Sequence, residues 1–109
     1  AVAAFVKDLR ENDWLDQTAI LTFSEFGRRV RENASGGTDH GKANSLTLIG
    51  GSLKQPGVFN ESPDLSRLDD GDLQFEVDFR QVYTTLLQDW LEVDPSPILK
   101  RSFKGLPLV

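Results

Sequence analysis

"TAILTFSEFGRRVRENASGGTDHG", residues 18–41, is the stretch on which the reading of this chain turns. Its first six residues, Thr18 to Phe23, are aliphatic and β-branched between polar clusters, the pattern of a short buried strand. Beyond them the character changes. Ser24 to Asn44 reads as a loop bent at Gly36, Gly37 and Gly41. Crowded into it are Glu25, Arg28, Asn33, Asp39 and His40, the single histidine of the chain. In open α/β sheets ligands sit beyond the carboxyl ends of the strands. Glu25, two residues past Phe23, therefore projects from that edge, and the loop is long enough to bring Asp39 and His40 back to it.

Upstream, Val2, Phe5, Val6 and Leu9 fall at i, i+3, i+4 and i+7, one face of an amphipathic helix. The chain opens inside that helix with no N-cap before it, and is read as a fragment or as the C-terminal part of something longer. Downstream, Ser45 to Ile49 is a second strand, stopped by Gly50-Gly51. From Ser52 to Gly71, prolines at 56 and 63 and the run "DDGD" predict surface loops with one short hairpin. Phe79, Val82, Tyr83, Leu86, Leu87 and Trp90 repeat at helical spacing over about three turns. Asp78 with Gln81 three residues on resembles a capping box, and Asp94-Pro95-Ser96-Pro97 ends the helix. The tail "ILKRSFKGLPLV" carries scattered apolar residues expected to dock on the body.

Helix, strand, loop, strand, loop, helix reads as α/β, a single domain or fragment over 1–109 with helices flanking a sheet. Two strands are few for a free-standing sheet of that kind. The shortfall points to a missing N-terminal portion or to a partner chain, a second copy among them, added at an exposed sheet edge.

Composition narrows the function classes. A net charge of −5 argues against binding the nucleic-acid backbone, which needs a surplus of lysine and arginine. Without cysteine, disulfides, thiolate catalysis and Cys-based zinc sites are excluded. No apolar run approaches the roughly 20 residues that span a bilayer. The opening "AVAAFVKDLR" is not a signal peptide, because it lacks a charged n-region followed by an apolar h-region.

What the crowded loop can do follows from its residue types. Neutral imidazole with carboxylates suits zinc, manganese or iron, so Glu25, Asp39 and His40 are candidate metal ligands. Arg28 and Arg29 can set a planar guanidinium against phosphate or sulfate, and Asn33 can hydrogen-bond a substrate oxygen. Plainer readings stand beside these. Asp39 and His40 can be a hydrogen-bonded structural pair, and Glu25, Arg28 and Glu32 have the spacing of a salt-bridged helical turn. Asp69, Asp70 and Asp72 around Gly71 do not have EF-hand spacing and read as a solvated turn. Asn33-Ala34-Ser35 and Asn60-Glu61-Ser62 match the glycosylation triplet, which is common by chance.

The set "SEFGRR…EN…GTDHG", continued by "LIGG", "VDFRQVYTTLLQDWL" and "FKGLPLV", resembles a bacterial family of uncharacterised proteins related to sulfatases and alkaline phosphatases. The resemblance covers essentially the whole chain and corresponds to the C-terminal part of that family's domain. It implies a doubly wound α/β sheet with one or two divalent metals, a small anionic ester as substrate, and an N-terminal nucleophile upstream of Ala1. Glu25 resembles the acidic ligand and His40 the later histidine of that superfamily. Phe26 departs from the pattern, standing where a histidine ligand is usual. The resemblance also implies a periplasmic or extracytoplasmic location, because related proteins often carry a twin-arginine export signal. Two functions follow: a C-terminal piece of a metal-dependent hydrolase of sulfate or phosphate esters, or a non-catalytic binding or assembly domain that keeps the fold.

Overall fold

The computed structural model describes all 109 residues, which form a mixed α/β chain of three α-helices and six short strands. They divide into two compact units: residues Ala1–Thr22, Thr47–Pro56 and Phe79–Val109, and residues Phe23–Leu46 with Gly57–Asp78.

The first unit opens with α1 (Val2–Glu11), where the i, i+3, i+4, i+7 spacing predicts it. Of that apolar face Leu9 is buried while Val2 and Phe5 are half exposed. Lys7 and Glu11 pair one turn apart at 3.5 Å, and the chain leaves the helix through Asp13 in the left-handed region at φ 59°. A 3-10 turn (Leu15–Gln17) leads into β1 (Ala19–Thr22), which pairs with β4 (Thr47–Gly50). Ile20 faces Ile49 and Leu21 faces Leu48, apolar pairs of the kind that stabilise a two-strand ribbon.

The pairing is antiparallel, and the sheet has two strands. This corrects the expectation of a doubly wound parallel sheet. Parallel neighbours need a crossover, usually a helix, to return the chain in the same direction. Between β1 and β4 lies no helix but a β-hairpin, so the chain comes back running the opposite way.

Helix α2 (Phe79–Thr85) begins where the periodicity places it but changes type within the expected three turns. Leu86–Trp90 is π-helical, closed by Leu91 N–H to the Leu86 carbonyl. Thr85, fully buried, sits at the junction. Its hydroxyl donates to the Gln81 carbonyl one turn back at 2.9 Å, a side-chain contact of the kind that competes with the helical ladder. The same oxygen accepts the Leu106 N–H at 2.7 Å. The tail docks here as expected: the Arg80 guanidinium lies 4.5 Å from the centre of the Phe103 ring. Lys54 N–H bonds the Leu108 carbonyl in the same unit. Asp94, after the helix, accepts the Ser96 N–H and opens the short α3 (Ser96–Leu99).

The second unit is built of two hairpins. Strands β2 (Gly27–Glu32) and β3 (Thr38–Gly41) occupy the stretch read as a loop, and the helical-turn reading of Glu25, Arg28 and Glu32 is overturned with it. "GRRVRE" carries one apolar residue in six, so no hydrophobic alternation announces a strand that is exposed along most of its length. The second hairpin joins β5 (Leu68–Asp69) to β6 (Asp72–Leu73) and is the short hairpin expected near "DDGD". Its turn residues Asp70 and Gly71 both have positive φ, 50° and 83°, the conformation for which Asp-Gly is favoured.

Candidate functional site

The candidate residues gather on the β2–β3 hairpin, whose geometry starts from two tight places. Gly27 is buried with its α-carbon against Ala43, so close that a β-carbon would overlap the Ala43 carbonyl. At the hairpin tip Asn33 organises the turn. Its side-chain oxygen accepts the N–H groups of Ser35 and Gly37 at 3.0 and 3.1 Å, and Gly36 supplies positive φ.

Between these points the register is uneven. Gly27 faces Gly41 and Arg28 faces His40, but Glu32 faces Thr38, so Arg29, Val30 and Arg31 lie opposite Asp39 alone. Such a bulge re-aims side chains. It divides the hairpin into two groups.

The first group is Phe26, Arg28 and His40. The rings of Phe26 and His40 stack, with centroids 3.5 Å apart and planes at 15°. The Arg28 guanidinium carbon is 5.4 Å from the Phe26 centroid, and its Nη1 donates to the Thr38 carbonyl at 2.8 Å. His40 is exposed and neither ring nitrogen is hydrogen-bonded within the protein, so stacking alone orients it. Glu25, also exposed and without a hydrogen bond or ion pair, lies in the connection before Phe26. Ser24 in that connection donates its hydroxyl to the Phe26 carbonyl at 2.8 Å, a turn contact.

The second group faces a cleft of about 370 Å³ lined by Arg29, Arg31, Glu32, Asp39, Asp70 and Gly71. Asp39 accepts a hydrogen bond from Asn33 Nδ2 at 3.0 Å. The expected Asp39–His40 pair is thus absent from the hydrogen bonds: each has a different neighbour. Asn33, with both ends of its amide engaged, is a turn builder in this structure.

Behind the cleft the β5–β6 turn is held by the basic residues of the first hairpin. Arg29 Nη2 donates to the Asp70 carbonyl and lies 3.8 Å from its carboxylate, while Nε is 3.9 Å from Asp72. Asp72, buried, also accepts the Lys42 N–H at 3.2 Å. Lys42 Nζ bonds Asp69 at 2.6 Å. That bond, reinforced by the opposite charge, holds the Asp69 carboxyl below its ordinary range and raises the Lys42 ammonium above its own.

A zinc-type site needs at least three protein ligands. No three His, Asp or Glu side chains of this chain converge in a way that would hold an ion. The residues present therefore do not complete a metal centre by themselves.

Sequence reasoning named Arg29 beside Arg28 as an anion contact but missed Arg31 and Asp70 as cleft residues. The signal was the i, i+2 spacing of Arg29 and Arg31, which puts both on one side only if the segment is read as a strand.

Fold and site together define a small mixed α/β protein with a polar, arginine-rich hairpin. The chain belongs to the family described as Protein of unknown function (DUF1501), which matches residues 1–101. No curated protein and no solved structure matches it. No helix is long and apolar enough to cross a membrane.

Proposed function

We propose that the chain forms part of a hydrolase of phosphate or sulfate esters related to the alkaline-phosphatase superfamily. The observation that supports this best is His40: an exposed imidazole, held flat by Phe26 and with both nitrogens unengaged. Such a group is available to bind a divalent metal through a ring nitrogen. In this reading Phe26 replaces a ligand by a packing partner. It fixes the ring's orientation, which a hydrogen bond would otherwise do.

Glu25 and His40 would be two ligands of a divalent zinc, manganese or iron, with Asp39 as a third candidate, and Arg28 would steady the ester anion. The metal would supply charge at the developing oxyanion. Because three ligands do not converge here, no step is derived through it.

The test is zinc and manganese titration of the purified protein, native, His40→Ala and Phe26→Ala, with hydrolysis of an aryl phosphate and an aryl sulfate measured in parallel. The reading expects metal affinity to fall in His40→Ala and the upfield ring-current shift of the His40 protons to vanish in Phe26→Ala. Native protein with no metal affinity and no hydrolysis that depends on His40 would overturn it.

A second reading, a non-catalytic assembly domain, is favoured by a different observation. Leu9 and Val82 are the only buried large apolar side chains, while Trp14, Phe23, Val58 and Leu65 are more than 60% exposed. Two-stranded sheets are marginal alone, so an added strand from a second copy would stabilise β1 and β4. A monomer by light scattering at all concentrations would remove this reading.

A further inference from the structure

We propose that the cleft beside Arg29 and Arg31 is a seat for a small tetrahedral oxyanion, a phosphate or sulfate group, and that Asp70 is its built-in competitor. The proposal rests on the ester-hydrolase reading for the kind of anion, and on the geometry of the bulge for the place.

Three features lead to it. Arg29 and Arg31, both opposite Asp39 in the bulge, line one cleft. Guanidinium groups match tetrahedral oxyanions through paired N–H donors. Arg31 is exposed and engaged by nothing in the protein. Arg29 is held in place: its Nη2 is tied to the Asp70 carbonyl, and Gly71 packs under the guanidinium where a β-carbon would come within 3.1 Å. An arginine fixed by its backbone partner keeps its remaining donors aimed without further ordering cost.

The competitor is Asp70. Its carboxylate is fully exposed and sits 3.8 Å from Arg29, too far for a direct hydrogen bond and therefore easily displaced. The cleft is lined by two positive and three negative side chains, so an anion enters favourably only when Asp70 turns away. Glu32 and Asp39 differ from Asp70 in this respect. Asp39 is tied to Asn33, and a Glu32 carboxylate oxygen lies beside Gly36 in the hairpin turn.

The experiment titrates the purified protein with inorganic phosphate and with sulfate at constant ionic strength, chloride making up the balance. Backbone amides of residues 29–31, 39, 70 and 71 and the arginine Nε–H groups are followed by NMR. We expect saturable shifts confined to these groups. Arg31→Ala should weaken phosphate binding about tenfold or more, as loss of a charge-assisted contact does. Asp70→Asn, which the positive φ tolerates, should tighten it about two- to fivefold, the range of an exposed ion pair. Asp13→Asn and Arg10→Ala make the same charge changes on the surface of the other unit and should leave affinity within about twofold. If Arg31→Ala fails to fold, Arg31→Gln keeps the stem and removes the charge.

Shifts shared with chloride, or an Asp70→Asn effect no larger than that of Asp13→Asn, would overturn the proposal. So would phosphate affinity indifferent to Arg31. Failure here leaves the metal titration of His40 standing. Failure of the metal titration leaves the phosphate seat standing.

Discussion

Two adjacent buried threonines should respond in opposite directions to the same substitution. Thr84 and Thr85 are 2% and 0% exposed, and valine replaces threonine at nearly constant volume. Thr85 Oγ1 accepts the Leu106 N–H at 2.7 Å and bonds the Gln81 carbonyl at 2.9 Å. Thr85→Val strands the Leu106 amide opposite a methyl group. An unsatisfied buried donor costs about 1–3 kcal/mol, so we expect a loss of about 2 kcal/mol. Thr84 Oγ1 is buried with no hydrogen-bond partner, so Thr84→Val removes a desolvation cost and loses no bond. Its stability should be unchanged or higher by up to about 1 kcal/mol. Urea unfolding followed by tryptophan fluorescence reads both values. Hydrogen exchange of the Leu106 amide checks the cause, since its protection should fall in Thr85→Val and stay in Thr84→Val. Thr85→Ser, which keeps the oxygen, should retain that protection. Equal effects of the two valine substitutions, or an unchanged Leu106 amide in Thr85→Val, would refute the reasoning that this hydroxyl ties the tail to α2.

Two further outcomes follow from the hairpins. Gly27→Ala drives a β-carbon into the Ala43 carbonyl and should cost about 1–3 kcal/mol, toward the upper end because the obstacle is backbone; a thermal melt measures it. The Asp69 carboxyl is lowered in the folded state, so its contribution to stability is present above about pH 4 and lost as the pH falls through its folded value. Lys42, raised in the folded state, contributes below about pH 10.5 and loses that contribution as the pH rises through its folded value. Denaturant midpoints across pH 2 to 6 should show wild type and Asp69→Asn converging at the acid end.

Much of the first unit was legible because its signals are local. The Val2–Phe5–Val6–Leu9 stripe, the aliphatic run before Phe23 and the Phe79–Trp90 periodicity each depend on a few neighbouring side chains. The direction of β4 was not legible, since it depends on what lies between two strands, and that was misread. "GRRVRE" hides its strand because an exposed hairpin needs no apolar face; its hydrogen bonds and the Asn33 turn hold it instead. The π-helical turn after Thr85 was equally hidden, since apolar residues spaced for an α-helix serve a widened turn as well. Of the candidate residues, His40 and Arg28 were named by residue type, and the two lie opposite each other across β2 and β3. Arg29 was named for its guanidinium, but Arg31 was passed over because, in a loop, the i, i+2 spacing of the two carries no meaning.

The bulge is what gives the hairpin two chemistries. With regular pairing, residues of β2 would alternate strictly, each answered by one residue of β3. Instead Arg29, Val30 and Arg31 share Asp39 as their opposite number, and Arg28 alone answers His40. The imidazole therefore has an aromatic ring and one guanidinium as neighbours, and both remaining hairpin arginines, within the bulge, line the cleft. The stacked imidazole and the cleft arginines thus fall in different groups of side chains on one hairpin. Deleting Val30 would leave Arg29 and Arg31 as two residues opposite Asp39 and, by making them neighbours, turn Arg31 to the face opposite Arg29. It should abolish the phosphate-dependent shifts while leaving the Phe26–His40 ring-current signature in place. A variant that loses both signatures, or neither, would mean that the bulge does not separate them.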